Sequence, residues 1–525
     1  MELQLPWASS FAAVLATALL LVTVLRRRRS AAATREYNLP PGPRPWPVIG
    51  NLHLIGSLPH RSLLTLSARH GPLMSLRFGS VPVVVASSVD AARFVLRTHD
   101  AAFIDRPRMA SGRHTAYDFS DLVWSPYGAY WRQARRLWRT KLLSARQLRS
   151  QEHVRAEELR GMLRALSSSA GRAVALKEHL LMLSLNVISR MALGRKYVVG
   201  DGEDEAAAGS PVSPEEFRWM VDELFVLNGV LSVGDFIPWL GWLDPQGYVG
   251  RMKRLGKMFD RFLEHVLDKH DERRRRDGDG FVATDMVDLL LELADDPGLE
   301  VPIGRDGVKG FTLDLIAGGT DTSAVAVEWA MSELLRNPDV LAKAAAELDA
   351  VVGRGRLVTE QDIPKLPYLE AVVKETFRLH PVSPLLAPRL AREDASTGTH
   401  DVPAGTLVFV NAWAIGRDPA VWGRAAAEFR PERFIGSGVD VRGQDLELLP
   451  FGSGRRMCPG YTLGLKMVQV TLANLLHAFA WRLPDGVAAE ELSMEEKFGL
   501  SMPRKVPLEA IAEPKLPAHL YAIGP

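Results

Sequence analysis

One cysteine stands in the 525 residues of this chain, and it sits in the run Phe451-Gly452-Ser453-Gly454-Arg455-Arg456-Met457-Cys458-Pro459-Gly460. A lone thiol closes no internal disulfide, and a single cysteine cannot by itself build a zinc or iron–sulfur site. Two chemical roles remain for Cys458: an axial thiolate to haem iron, or a nucleophile. Its neighbours favour the first. Gly452, Gly454 and Gly460 let the main chain pass close to a bulky flat ligand. Pro459 suits the first position of a helix, and residues 461–479 carry apolar side chains on a 3.6-residue period. Unpaired N–H groups at that helix start are expected to lower the thiol pKa and hold it ionised. Arg456 is placed to neutralise a propionate of such a ligand.

The start of the chain reads differently. Residues 7–25 are uncharged and mostly apolar, about long enough as a helix to cross a bilayer core, and Arg26 to Arg29 follow at once. Charge after the apolar run is the reverse of a cleavable signal peptide. The positive-inside rule then keeps the arginines and all that follows on the cytosolic side, in keeping with one cysteine. Residues 1–29 are therefore expected to be a membrane anchor with a basic stop. Residues 30–51 form a linker and proline-rich hinge, stiff because alternate prolines fix φ and remove donors. Residues 52–525 follow as a single domain. Hydrophobic residues make up 47% and charged residues 24%, enough for a large core, and a net charge of +2 gives no argument for a nucleic-acid partner.

Further along, residues 74–85 alternate about a turn at Gly79-Ser80 and read as a hairpin, with Pro82 placing the return strand at a sheet edge. At helical spacing Trp131, Arg135 and Trp138 share one face, while Arg132, Arg136 and Arg139 make a basic row beside it, suited to an acidic partner protein. Residues 150–300 read as long amphipathic helices, interrupted at 201–214 and by the dense charge run 269–280. The apolar stretch 225–242, with Phe236, Trp239 and Trp242, is core, pocket roof or a membrane-dipped surface. Residues 311–337 read as one helix ended by Asn337-Pro338. Inside it, Gly318 and Gly319 together cost on the order of 1–2 kcal/mol against alanine, so something must justify them.

Phe451, Gly454, Arg456, Cys458 and Gly460 match the haem-binding signature of the cytochrome P450 family, which this chain resembles over nearly its whole length, most closely in plant microsomal members acting on specialised metabolites. The resemblance implies a mainly α fold with a small β region, one N-terminal transmembrane helix, and an endoplasmic reticulum membrane location with a cytosolic catalytic domain. It implies haem b ligated by Cys458, with Phe451 in the thiolate loop and propionates met by Trp131, Arg135, Arg389 and Arg456. Electrons come from NADPH through a flavoprotein reductase. Gly318-Gly319-Thr320-Asp321-Thr322-Ser323 resembles the family's distal segment, where missing side chains open a groove for dioxygen, Thr322 bonds a water and Asp321 relays protons. An acid–alcohol pair suits the cleavage of an O–O bond, which needs protons at the outer oxygen.

Glu375 and Arg378, with Arg433 downstream, resemble the family's buried Glu–Arg–Arg network beside the thiolate loop. Tyr117, Phe119, Leu385 and Leu500 are the expected pocket residues. The implied activity is NADPH- and O2-dependent monooxygenation of a small lipophilic plant metabolite, leaning to oxidative cleavage of a terpenoid tertiary alcohol (nerolidol or geranyllinalool) to a homoterpene. Flavonoid, phenolic or steroid hydroxylation is the alternative within the class. A haem-binding sensor without turnover is the alternative outside it, and Asp321 with Thr322 argues against that.

Overall fold

The computed structural model describes residues 37–196 and 211–522. Helices dominate, and the strands gather in three small sheets. The main sheet joins β1 (Leu73–Phe78), β2 (Val81–Ala86), β7 (Leu407–Val410) and β4 (Arg389–Leu390) in that order. A second sheet holds β3 (Ala173–Ala175), β9 (Glu509–Pro514) and β8 (Phe479–Arg482), and a third pairs β5 (Ala395–Ser396) with β6 (Asp401–Val402). β1 and β2 form the hairpin read from the sequence, with Leu73 opposite Ala86 and Phe78 opposite Val81. The return strand is not at the edge, however, because β7 adds in parallel to its other side. Pro82 is tolerated because pairing with β7 begins only at Val83, so the missing N–H falls where β2 has one neighbour.

Six helices carry the site. In chain order they are α1 (Ala129–Leu137), α2 (Leu176–Leu193), α3 (Pro214–Gly229), α4 (Arg305–Arg336), α5 (Pro367–Leu379) and α6 (Tyr461–Ala478). α4 is central. Apart from its first turn and a short strip near Gly318, its residues are buried almost without a break, so it is apolar or internally satisfied on every face. Thr312, Thr320, Thr322 and Ser332 each return their hydroxyl to the carbonyl four residues back, which lets polar side chains sit inside the core. The helix stops at Arg336 because Pro338 disfavours helical geometry at Asn337, which turns to φ −125° and ψ 75°.

The two adjacent glycines of α4 answer to different neighbours. A Cβ on Gly318 would meet nothing within 4 Å, whereas one on Gly319 would lie 2.7 Å from Ile188 Cγ1 on α2. Only Gly318 borders open space; Gly319 is there so that two helices can touch. Gly319→Leu is therefore expected to lose roughly 1–3 kcal/mol by overpacking, while Gly318→Ala gains up to about 1 kcal/mol from helix propensity. Urea unfolding of both variants checks the contrast, and equal effects would contradict it.

Several expectations need correcting. The transmembrane helix in the expected fold, and the single-pass endoplasmic reticulum location built on it, do not stand. Among the described residues no helix is long and apolar enough to cross a membrane. The apolar run 7–25 on which both rested lies outside the described residues, as do 201–210 of the expected loop 201–214. The charge run 269–280 is no interruption. It forms the last turns of a helix over Tyr248–Asp277, closed by Gly278 at φ 50°, and its His270 is buried against Asp285 at 3.1 Å. The proline-rich stretch after residue 38 does not stand clear of the body either. Pro41 O accepts from Ser75 N at 2.9 Å and Ile49 O from Gly79 N at 3.1 Å, so it lies along β1. The stretch 225–242 divides. Phe225 and Phe236 are buried, Phe236 packing edge-on to Phe78 at 5.5 Å, while Trp239 and Trp242 are exposed.

Candidate active site

The loop before α6 is shaped by its glycines. Gly452 and Gly454 adopt φ of 68° and 73°, a left-handed conformation closed to most side chains, and a Cβ on Gly454 would strike Asp100 Oδ1 at 2.5 Å. These turns bring Cys458 N onto Phe451 O at 2.9 Å. Phe451 itself packs edge-on to Phe377 of α5 at 5.6 Å and to Tyr461 of α6 at 6.3 Å, tying the loop to both helices. α6 begins at Tyr461 with Gly460 as its cap, so Pro459 precedes the helix and does not open it. The thiol pKa moves against expectation as well. Burial raises it, outweighing the Gly460 N–H and the Arg135 charge that pull it down. A ligated metal would override that shift, because it deprotonates a coordinating thiol outright.

Four arginines converge beside this loop. Arg456 spans Ile104 O at 2.9 Å, Leu122 O at 3.3 Å and Ser125 O at 2.7 Å, and its guanidinium lies 4.3 Å from the Trp131 ring centroid. Trp131 donates its indole N–H to the same Leu122 O at 3.1 Å. Arg389 bonds Asp100 Oδ1 at 3.0 Å and Ser453 O at 2.9 Å. Arg106 bonds Val123 O at 3.0 Å, Ala387 O at 2.9 Å and Pro388 O at 2.6 Å. Burial, then mutual repulsion, pushes Arg106 down, and Arg456 falls to about 9 for the same reasons. Arg135, half-buried, is lowered by burial against the charge of Cys458.

Much of this cationic charge is met by backbone carbonyls and by few carboxylates, chiefly Asp100, Asp105 and Asp121. A group bringing two carboxylates and a metal for a thiolate fits that donor set. Arg106 went unnoticed in the sequence because nothing local distinguishes it from any loop arginine. Arg132, Arg136 and Arg139 all face outward, as their helical spacing predicts.

The Glu–Arg–Arg triad is assembled. Arg378 Nε and Nη2 each meet a Glu375 carboxylate oxygen at 2.7 Å, and Arg433 Nε reaches Glu375 Oε1 at 2.9 Å. Arg378 Nη1 binds Gly416 O at 2.5 Å and Ala426 O at 2.6 Å, so the triad pins the irregular chain ahead of the thiolate loop.

α4 turns Gly318 and the half-buried Ala317 and Thr322 toward a cavity. Its wall also takes Leu224 and Phe225 from α3, and Val382, Ser383, Ala387, Leu500 and Ser501 from the later chain. Of the expected pocket residues, Leu500 lines this cavity. Leu385 lines an adjoining apolar pocket that shares Leu500, Ser383 and Asn228 with it. Tyr117 and Phe119 are not on the wall: the first stacks 5.0 Å under Lys309 Nζ and the second lies against Gly112. Thr115, Ala116, Asp121, Val123 and Trp124 line it from that segment instead. Thr322 Oγ1 donates to Gly318 O at 2.7 Å, and Asp321, buried beside it, accepts from Ser501 Oγ at 2.5 Å. Burial raises the Asp321 carboxyl, against the pull of Lys177 and Ser501.

The sequence profile of Cytochrome P450 matches residues 40–507. The chain belongs to the cytochrome P450 family. This P450 is 55% identical over 509 residues to trimethyltridecatetraene synthase of Zea mays, covering 93% of this chain and 90% of that one. It is also 55% identical over 503 residues to dimethylnonatriene synthase of the same plant, covering 93% of each. Flavonoid 3'-monooxygenase of Arabidopsis thaliana is 43% identical over 523 residues, covering 98% of this chain and 99% of its own. Among solved structures, a zebrafish cytochrome P450 with progesterone superposes with a TM-score of 0.73 at 26% identity, over 87% of this chain and 99% of the other. It is a haem-thiolate monooxygenase of the plant type, with haem b held by a cysteine thiolate, and Cys458 is the one cysteine it has. NADPH supplies its electrons through a flavoprotein reductase, and its substrate is small and lipophilic.

Proposed function

We propose that this P450 cleaves a terpenoid tertiary alcohol, nerolidol or geranyllinalool, oxidatively to a homoterpene. The observation that carries the reading is 55% identity, over nine-tenths of the chain, to two synthases whose names give branched polyene hydrocarbons as products. An apolar cavity walled by Leu224, Phe225, Leu313, Val382 and Leu500 supports it, since such a wall suits an acyclic lipophilic chain. Residues 52–525 act as one catalytic domain in this reading.

Haem bound through Cys458 supplies oxygen activation. The protein's own side chains do the rest. Arg135, Arg389 and Arg456, with Trp131 and Phe451, hold the cofactor in register, and Arg106 joins them. Glu375, Arg378 and Arg433 keep the approach to the thiolate loop rigid. Thr322 holds a water by the lone pairs its hydroxyl has left after donating to Gly318 O. Asp321, whose carboxyl burial raises, accepts from the Ser501 hydroxyl, and that contact links it to the cavity wall as a route for protons.

Product analysis with reductase and NADPH tests the substrate, using the two tertiary alcohols against a flavonoid panel. A homoterpene from either alcohol supports the reading, and hydroxylated flavonoid with no homoterpene refutes it. Thr322→Ala is expected to keep NADPH consumption while product falls roughly 10²-fold, the scale of a lost proton-handling group. Product and NADPH falling in step would argue against that role.

A further inference from the structure

Most polar groups on the cavity wall turn their hydrogen bonds back into the protein. Asn228 donates to Thr115 Oγ1 at 3.2 Å and accepts the Trp124 indole N–H at 2.9 Å. Ser501 is committed to Asp321 and Thr322 to Gly318 O. Asp314 is placed differently. It stands on α4 one turn beyond Gly310 and about two turns before Thr322, on the face that borders the cavity. The loop carrying Asp121 presses on that face, because a Cβ at Gly310 would lie 3.3 Å from Asp121 Cα. Leu122 N–H, in the same loop, donates to Asp314 Oδ2 at 2.7 Å.

Asp121 and Asp314 thus share one stretch of the wall, and two carboxyls pressed together in an apolar setting do not both ionise. Asp121 is the better anion. Trp124 N–H serves both its oxygens, at 2.9 and 3.1 Å, and Arg106 and Arg456 lie behind it. Asp314 has Asp121 and the Tyr130 phenol near it and, among the described residues, no facing cation, and burial followed by the Asp121 charge pushes its carboxyl well up. Burial raises Asp121 as well, to about 7, but Asp314 is raised by burial and by the facing Asp121 charge with no guanidinium to offset them, so of the two it is the carboxyl that more readily holds a proton. The backbone N–H groups of Leu122 and Val123 serve its carboxyl, and an N–H offers no acceptor for an acid proton.

We infer that Asp314 acts as a hydrogen-bond donor from the cavity wall to the hydroxyl oxygen of the substrate, and so sets both the choice of an alcohol and its pose under α4. The inference deepens the terpenoid-alcohol reading and rests on it for the ligand's class. Such a bond holds the carbinol end of an acyclic chain against one wall, where apolar packing alone would let it slide.

The test is optical titration of the haem-loaded full chain with nerolidol and with the hydrocarbon that lacks its hydroxyl, on wild type, Asp314→Asn and Asp314→Leu. The preference of wild type for the alcohol is expected to shrink about tenfold in Asp314→Leu, the worth of one buried hydrogen bond. Hydrocarbon affinity should change little. Asp314→Asn should keep most of the preference, since its carbonyl still takes Leu122 N–H and its amide N–H still donates. An unchanged ratio in Asp314→Leu overturns the inference. So does an equal loss for both ligands, which marks a role in holding the loop, and so does an Asn variant as unselective as the Leu variant. Should wild type turn over a phenolic compound and not the alcohol, the terpenoid reading falls. The same three proteins titrated with that phenol and its deoxy counterpart then decide the role of Asp314 by the same ratio.

Discussion

Replacing Cys458 by alanine is expected to abolish product formation while leaving the apoprotein folded. The thiol is the chain's one sulfur of this kind, and no histidine is among the residues lining the cavity beside α4. The side chain is small, and the contact that positions it is made by its backbone N–H to Phe451 O at 2.9 Å, which alanine retains. The loss is therefore one of ligand chemistry and not of fold. A thiolate pushes electron density onto iron and favours O–O cleavage, and no other side chain replaces that push. Two measurements check this: turnover with reductase and NADPH, and the spectrum of the reduced carbon monoxide complex. Circular dichroism should be unchanged. Product at more than a few per cent of wild type would mean that another residue ligates the iron.

The second large effect is expected at Glu375. Its carboxylate has no solvent exposure and takes two bonds from Arg378, one from Arg433 and one from Arg430 N at 2.7 Å. Arg378 is equally enclosed. Glu375→Ala leaves two guanidinium groups without their anion, one wholly inside the protein. Removing one partner of such a buried pair costs on the order of 3–5 kcal/mol, a large share of the 5–15 kcal/mol that usually separates folded from unfolded protein. The damage should be local first, in the chain between Gly416 and Glu428 whose carbonyls Arg378 gathers. Haem content on purification and urea unfolding measure it. Full haem loading with less than about 1 kcal/mol of lost stability would show that the carbonyl contacts suffice without the carboxylate.

These two variants separate what Cys458 and Glu375 do. One supplies an atom to the reaction; the other keeps its neighbourhood from moving. The triad joins the last turns of α5 to a short 3-10 helix over Pro431–Phe434, with 58 positions between Glu375 and Arg433, through arginine forks whose planar geometry lysine does not reproduce. Arg378→Lys should accordingly share most of the Glu375→Ala defect.

How much could be read in advance depended on whether a role is local. Cys458, its glycines and the helix after it are contiguous, and positive φ at Gly452 and Gly454 is a demand the residues themselves announce. Thr322 and the end of α4 at Pro338 are legible for the same reason. Arg106 was not, because its meaning comes from Arg389 and Arg456, hundreds of positions away, and from the carbonyls of residues 387 and 388. Ser501 likewise acquires its role only by reaching Asp321 across 180 residues. Gly318 and Gly319 look alike in sequence, yet one borders the cavity and the other admits Ile188, which only the packing of α2 on α4 distinguishes.

The thiol's ionisation shows the same division. A helix start nearby argues for a lowered pKa, and the reasoning is sound for an exposed cysteine. Burial reverses it, and burial is a property of the assembled protein. Pro82 and Asp314 follow that pattern: a proline marks an edge until a parallel strand joins one residue later, and an aspartate on a helix is ordinary until a second carboxyl is packed against it.

What the residues by themselves determined is the chemistry available: one thiol in a glycine-shaped turn, an acid–alcohol pair in a notched helix, and a glutamate set to lock two arginines. These follow from covalent reach and backbone geometry within a few residues. What the tertiary structure alone decided is which groups burial shifts, which glycines face space, and which loop residues line the cavity. Those depend on distance from water and from groups remote in the chain, and neither quantity is written in local order.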